Sequence, residues 1–169
     1  MLEVRDLSCV RGDHRLFANL AFTMRAGELL HLRGHNGSGK TSLIRTLCGL
    51  MMPAEGEVLW NGKSIRSQRD EYNRILTYFG HHGAIKGDLT AYENLAISCK
   101  LMGLPIEEDR LLTALADMGL AGREDLPTKV LSQGQKRRVA LARLLVVDSL
   151  LWILDEPFTA LDKAAIGLI

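Results

Sequence analysis

Two hydrophobic periods take turns along the chain. Leu20, Phe22 and Met24 are separated by Ala21, Thr23 and Arg25, and side chains that switch face at every residue mark a half-buried strand. Leu2 and Val4 repeat that spacing more weakly. The apolar run Leu29-Leu30-His31-Leu32 predicts a further strand, which leads straight into a glycine cluster and then a helical stretch from Ser42 to Leu50. Gly49 and Pro53 end that helix. Val58-Leu59-Trp60 before Asn61-Gly62 reads as a strand entering a tight turn, because Asn-Gly tolerates the backbone angles of a two-residue hairpin. Ile75 to Phe79 reads as another short strand.

From Thr90 to about Gly122 the period turns helical, with Leu95, Leu101, Leu111, Leu115 and Met118 set among polar residues. A second helix is expected from Ser132 to about Val147, with Val139, Ala142 and Val146 on one face. The continuous run Leu150 to Leu154 fits a parallel strand buried on both faces. Strands interleaved with helices place the chain in the α/β class with a mostly parallel sheet. The 169 residues suit one domain, 1–169, with a helical subdomain at about 90–147.

Composition narrows the function classes. Twenty-one Lys and Arg against 20 Asp and Glu leave a net charge of +1, so a strongly basic nucleic-acid binder is not indicated. Apolar runs fall far short of the ~20 residues that cross a bilayer. The start, Met1-Leu2-Glu3-Val4-Arg5-Asp6, is charged from its third residue, so no secretory signal and a cytosolic location are expected. Cys9, Cys48 and Cys99 form no C-x-x-C pair, which disfavours a zinc ribbon or disulfide framework and leaves them as small buried hydrophobes.

Candidate chemistry begins in the glycine cluster. Gly34-His35-Asn36-Gly37-Ser38-Gly39-Lys40-Thr41 matches G-x-x-x-x-G-K-[ST] in full, between an expected strand and an expected helix. Glycines let backbone N–H groups wrap around phosphates, and the helix adds the positive end of its dipole. Lys40 would reach the β- and γ-phosphates, the Thr41 hydroxyl would ligate Mg²⁺, and Ser42 follows on the first helical turn. The plainer alternative is a glycine-rich turn that joins two elements. A complete match in this context favours nucleotide binding.

Asp155 and Glu156 close the apolar run from Leu150. Carboxylates at such a strand end face the ligand crevice of an open α/β sheet. Asp155 suits Mg²⁺, held through its water shell, and Glu156 can orient and deprotonate an attacking water. Between the two motifs lies Leu131-Ser132-Gln133-Gly134-Gln135, where Ser132 and Gln135 have capping-box spacing. The basic run Lys136-Arg137-Arg138 reads as a solvated helix face rather than a nucleic-acid patch.

On these three ordered motifs the sequence resembles the nucleotide-binding subunits of ABC (ATP-binding cassette) transporters. The resemblance implies a P-loop NTPase with a RecA-like parallel core, an N-terminal antiparallel β subdomain and a helical insert. It implies ATP and Mg²⁺ as cofactors, with Lys40 and Glu156 catalytic and Thr41 and Asp155 on the metal. The family's signature is LSGGQ, with Gln133 here in place of the first glycine. By similarity Ser132, Gly134 and Gln135 act on the ATP held by a second subunit in a head-to-tail dimer, and Asp162 in Thr159-Ala160-Leu161-Asp162 matches the D-loop.

LSQGQ continuing as KRRVALARLL, Tyr78-Phe79-Gly80-His81-His82, and Leu89-Thr90-Ala91-Tyr92-Glu93-Asn94-Leu95 resemble the ATP-binding family of the bacterial cytochrome c biogenesis, or haem exporter, system. That implies a peripheral ATPase on the cytoplasmic face of the inner membrane, coupled to permease subunits that deliver haem to, or release it from, a haem chaperone. Neither nucleic acid nor direct haem ligation is expected.

The sequence departs from the family's pattern in three further places. His82, beside His81, stands where the family carries a glutamine; an imidazole substitutes imperfectly there. A haem-ligating role for the pair is disfavoured. Arg11 stands where an aromatic often stacks on adenine, and its planar guanidinium can stack similarly, the plain alternative being a solvent-facing loop arginine. The family's switch histidine lies on a later strand, and 13 residues follow Glu156, so the expectation is a C-terminally truncated chain or impaired hydrolysis. The alternatives are therefore a hydrolysis-impaired nucleotide-binding subunit, or an ABC ATPase for another cargo. ABC proteins that act on chromosomes or ribosomes fit less well, since only 92 positions separate Lys40 from Ser132 and the chain holds one cassette.

Overall fold

The computed structural model describes residues 1–80 and 84–157. The chain divides into two compact units, Met1–Leu76 and Thr77–Ile169. In the first, β1 (Leu2–Arg11), β2 (His14–Met24), β3 (Glu55–Trp60) and β4 (Lys63–Ser64) form an antiparallel sheet in the order β2-β1-β3-β4. The period-two positions find each other across it: Leu2 lies opposite Met24, and Val4 lies opposite Phe22 on one side and Val58 on the other. Asn61 and Gly62, both at positive φ, make the expected two-residue turn from β3 to β4.

Two helices complete this unit, α1 (Lys40–Leu47) and α2 (Arg69–Ile75). α1 buries Leu43, Ile44, Thr46 and Leu47. Its terminal carbonyl at Leu47 accepts a 2.8 Å hydrogen bond from the buried Tyr72 hydroxyl on α2, which serves one of the orphan acceptors that every helix end leaves. The Tyr72 ring also lies 6.1 Å from that of Trp60, tilted by 58°. α2 has no apolar stripe beyond Tyr72, so periodicity could not reveal it. Ile75 is its last residue, and the strand expected from Ile75 begins instead at Leu76.

The strand expected at Leu29 to Leu32 does not form. These residues make no ladder with any described strand, and Leu29 is 93% exposed. Apolar runs become strands only where neighbours accept their backbone groups, and the sheet of this unit ends at β2 and β4.

In the second unit, β5 (Leu76–Phe79) pairs with β6 (Leu151–Leu154) in a parallel sheet. The ladder is extended by the Asp155 N–H, which donates to the Phe79 carbonyl at 2.8 Å. β6 is not buried on both faces, because Leu151 and Ile153 are buried while Trp152 between them is 48% exposed. Three helices, α3 (Ala91–Leu101), α4 (Glu108–Asp117) and α5 (Gln133–Val146), supply the helical block. Gly103, at positive φ, and Pro105 divide α3 from α4. Leu95, Leu115, Met118, Leu120, Val139 and Leu141 form their common core. All three cysteines are buried and unbridged, and burial pushes the Cys99 thiol up.

Asn94 holds the connection into α3. Its amide donates to the carbonyls of Lys86, Leu89 and Thr90, and its oxygen accepts from the Lys86 N–H. Thr128 donates to the same Lys86 carbonyl at 2.7 Å. A loop with few apolar anchors is thus held by polar groups that are themselves buried.

Tyr72→Phe keeps the ring and loses only the hydroxyl, so chemical denaturation is expected to show a loss of about 1–2 kcal/mol. Burial pushes the Tyr72 phenol up from its ordinary value of 10.0. The unfolded phenol therefore ionises first, and stability falls as pH rises above that value. Unfolding midpoints followed from pH 9 upward should show this loss in the wild type and a smaller one in Tyr72→Phe.

Candidate active site

The phosphate loop belongs to the first unit. Gly39 is the N-cap of α1 at φ 92° and carries no side chain, so no side-chain cap occupies the first-turn N–H groups; a left-handed cap of this kind suits glycine. An anion is a fitting partner for such N–H groups. A Cβ at Gly34 would come within 2.6 Å of the Ser38 Oγ, and one at Gly39 within 3.1 Å of both Leu16 and Phe17. At Gly39 the positive φ and the close contacts together favour glycine, whereas at Gly34 only the movable Ser38 hydroxyl stands in the way.

Lys40 folds back over the loop, its Nζ donating to the carbonyls of Gly34 at 2.6 Å and His35 at 3.0 Å. The Ser38 N–H donates to the His35 carbonyl, and the His35 ring nitrogen Nδ1 lies 2.9 Å from the Asn36 carbonyl. The ammonium is thus held at the mouth of a loop whose amides can receive phosphate. Thr41 and Ser42 follow on the first turn of α1. Arg11 lies at the end of β1, exposed and opposite His14. The ring packed against the loop is that of Phe17, which the sequence reading missed. A signal was present: Phe17 is an aromatic residue out of phase with Leu20, Phe22 and Met24 on the same strand.

The Asp155-Glu156 pair belongs to the second unit. Asp155, buried, and Glu156, exposed, follow directly on β6. Glu156 adopts φ 50°, a left-handed conformation that costs a non-glycine residue on the order of 1–2 kcal/mol. The expected capping box opens α5: the Gln135 N–H donates to the Ser132 Oγ at 3.2 Å, and the Ser132 N–H to the Gln135 Oε1 at 2.9 Å. The Ser132 hydroxyl accepts in that box and keeps its own proton to donate. Gly134 sits between the two, half-buried.

The basic run is not a solvated face. Arg137 is buried, with its guanidinium 4.4 Å from the centroid of the Phe79 ring. Its donors reach the carbonyls of Asp155, Glu156 and Pro157. Arg138 donates to the carbonyls of Met118 and Gly119 at the end of α4, at 2.9 and 3.3 Å. The reason is the helical period, since Arg137, Leu141 and Leu144 stand at i, i+4 and i+7 on one buried stripe. Burial pushes the Arg137 guanidinium down, against an opposing pull from the charges of Asp155 and Glu156.

His82, with His81 beside it, and Asp162 lie outside the described residues. Among the described residues no group of three or more His, Cys, Asp or Glu side chains could hold a metal ion. Mg²⁺ keeps several waters and shares its shell with substrate phosphates, so it needs few protein ligands, and a hydroxyl or a carboxylate suits it by chemical type.

Comparison with known proteins identifies the family. The ABC transporter family profile matches residues 17–159. The cytochrome c biogenesis ATP-binding export protein CcmA of Nitrosomonas europaea is 61% identical over 169 residues, covering 100% of this chain and 79% of its own. The protein of the same name from Nitrosospira multiformis is 56% identical over 168 residues, covering 99% of this chain and 82% of its own. A solved ATP-binding subunit of an ABC transporter superposes with a TM-score of 0.86 at 31% identity, over 99% of this chain and 71% of that one. A glycine-cradled lysine, a strand ending in Asp-Glu and a helix capped by a serine of the LSQGQ run therefore occur in a chain that belongs to the ABC transporter ATP-binding family.

Proposed function

We propose that the chain is the ATP-binding and ATP-hydrolysing subunit of an export complex in cytochrome c biogenesis, with haem as the cargo. The observation that carries this is the 61% identity, across all 169 residues, to a protein named for ATP-binding export in that process. The phosphate loop supplies the chemical support, because Gly39 caps α1 at positive φ in close contact with Leu16 and Phe17, and Lys40 is poised over the loop.

In this reading the backbone amides from His35 to Thr41 and the Lys40 ammonium bind the phosphates of ATP. Thr41 and Asp155 hold Mg²⁺, with Ser42 supporting the first turn. When bound, the metal neutralises charge on the β- and γ-phosphate oxygens. Glu156 orients the attacking water and takes its proton on a carboxylate oxygen. Phe17 and Arg11 are the planar groups assigned to the base. Ser132, Gly134, Gln135 and Asp162 of one copy act on the ATP of a second copy, so two chains close around two nucleotides. His82 takes the place of the coupling glutamine.

Among the described residues no helix is long and apolar enough to cross a membrane, and ABC ATP-binding subunits work with membrane permease components. The surface we assign to a permease segment is the concavity lined by Tyr92, Ala96, Ile97, Leu104, Ile106 and Leu111, rimmed by Glu93, Lys100 and Glu107. Ile97 is 43% exposed at this groove, and Leu101 on the same helix is 83% exposed. Apolar side chains left open beside a groove mark a surface that a partner covers. Docking there places the subunit peripherally on the cytoplasmic face of the inner membrane.

Lys40→Ala is expected to weaken ATP binding by at least about tenfold in calorimetric titration, because the ammonium–phosphate attraction is lost. Equal affinity in the variant and the wild type would overturn the assignment. Glu156→Gln should bind ATP as the wild type does while turnover falls about 10²–10⁴-fold, as for loss of a general base. ATP binding without turnover in the wild type would favour the hydrolysis-impaired subunit instead.

Ile97→Asp and Leu101→Asp should leave ATP affinity unchanged and abolish co-purification with permease subunits from solubilised membranes. Intact co-purification would place the docking surface elsewhere.

A further inference from the structure

Arg137 is an expensive residue to bury. Its guanidinium lies against the Phe79 ring and directs its donors at three consecutive carbonyls, with Nε on Pro157 at 3.2 Å and Nη2 on Asp155 at 3.4 Å and on Glu156. Glu156, in the middle of the three, is at φ 50°. A non-glycine residue keeps that conformation only where its surroundings impose it. A planar guanidinium with a fixed fork of donors can serve several carbonyls at once, which a lysine ammonium on a flexible stem does less well.

From these contacts we infer that Arg137 is a positioning residue for Glu156. It clamps the turn after β6 so that the Glu156 backbone stays left-handed and its carboxylate is presented in one direction. The inference rests on the reading of Glu156 as the general base. It goes further in tying that base to α5, the helix whose first turn is the Ser132–Gln135 box. Arg137 stands five residues after Ser132 on this helix, so a movement of the helix start that follows contact with a second subunit's nucleotide is passed to the base. Arg137 is thus a link between nucleotide contact and water activation.

The test uses the full chain with Arg137→Met, Arg137→Gln and Arg137→Lys, read by MgATP affinity, steady-state kinetics and amide hydrogen exchange. Misplacement of a catalytic group by about 1 Å costs on the order of 10²-fold, so kcat is expected to fall roughly tenfold to a hundredfold in the Met and Gln variants. KM and ATP affinity should stay within about twofold, since the phosphate loop does not include Arg137. Arg137→Lys should recover part of kcat by keeping the charge. Exchange in residues 153–157 should quicken while that in residues 139–146 stays as in the wild type, because local opening is set by local contacts.

Three results would overturn the clamp: kcat within about twofold of wild type in Arg137→Met, affinity falling in step with kcat, or equal acceleration of exchange in both segments. Failure of the ATPase reading looks different. The wild type would then bind ATP without turning it over, and exchange in residues 153–157 would decide the clamp by itself: acceleration in Arg137→Met supports it, and unchanged exchange overturns it.

Discussion

An arginine can enter a protein core only if oxygens meet its N–H groups, because an unpaired buried charge costs several kcal/mol. That constraint organises the second unit. α5 carries Arg137, Arg138 and Arg143, and each donates to backbone carbonyls of a different element: the turn after β6, the end of α4, and Tyr78 of β5 at 2.6 Å. Burial pushes the Arg143 guanidinium down, and its Nε is the one buried side-chain nitrogen or oxygen without a partner among the described residues. Between the arginines, Val139, Leu141 and Ala142 are almost fully buried. Apolar packing supplies the driving force, and the guanidinium–carbonyl contacts decide which element ends meet the helix.

The same rule of satisfied backbone groups, worked the other way, shapes the first unit. Helix ends leave N–H and C=O groups without intrahelical partners. At the C-terminal end of α1 the Tyr72 hydroxyl takes up a carbonyl, while at the N-terminal end Gly39 offers no side chain. The end without a side-chain cap is the one whose N–H groups suit an anion. In the proposed reading, binding capacity there comes from the absence of that cap, with Lys40 supplying the positive charge.

Much of this was legible in the chain. The phosphate loop, the Ser132–Gln135 box and the Asp155-Glu156 pair are local patterns whose chemistry is carried by residue type and spacing, and the two capping boxes formed at Thr90 and Ser132 are local as well. The period-two segments at residues 2–4 and 20–24 and the turn at Asn61-Gly62 were readable because they are properties of neighbouring residues, while their antiparallel pairing in the order β2-β1-β3-β4 came from the fold. α2 was not readable, since a helix with a single buried residue has no stripe to detect. The apolar run at Leu29 to Leu32 misled for a related reason, as hydrophobicity reports a tendency to be covered and carries no information about which strand accepts the hydrogen bonds.

Sequence alone determined the nucleotide chemistry and the class of fold, since those depend on side-chain identity, glycine placement and period, all of which are encoded within a few residues. Tertiary structure decided the environment of each charge. Lys136-Arg137-Arg138 has the composition of a solvated face, yet packing turned Arg137 inward onto Phe79 and three carbonyls. It also set Phe17 against Gly39. Both outcomes depend on which distant segments approach, and the free energy of burying a charge or a ring is fixed by those neighbours, which lie up to 58 positions away in the chain.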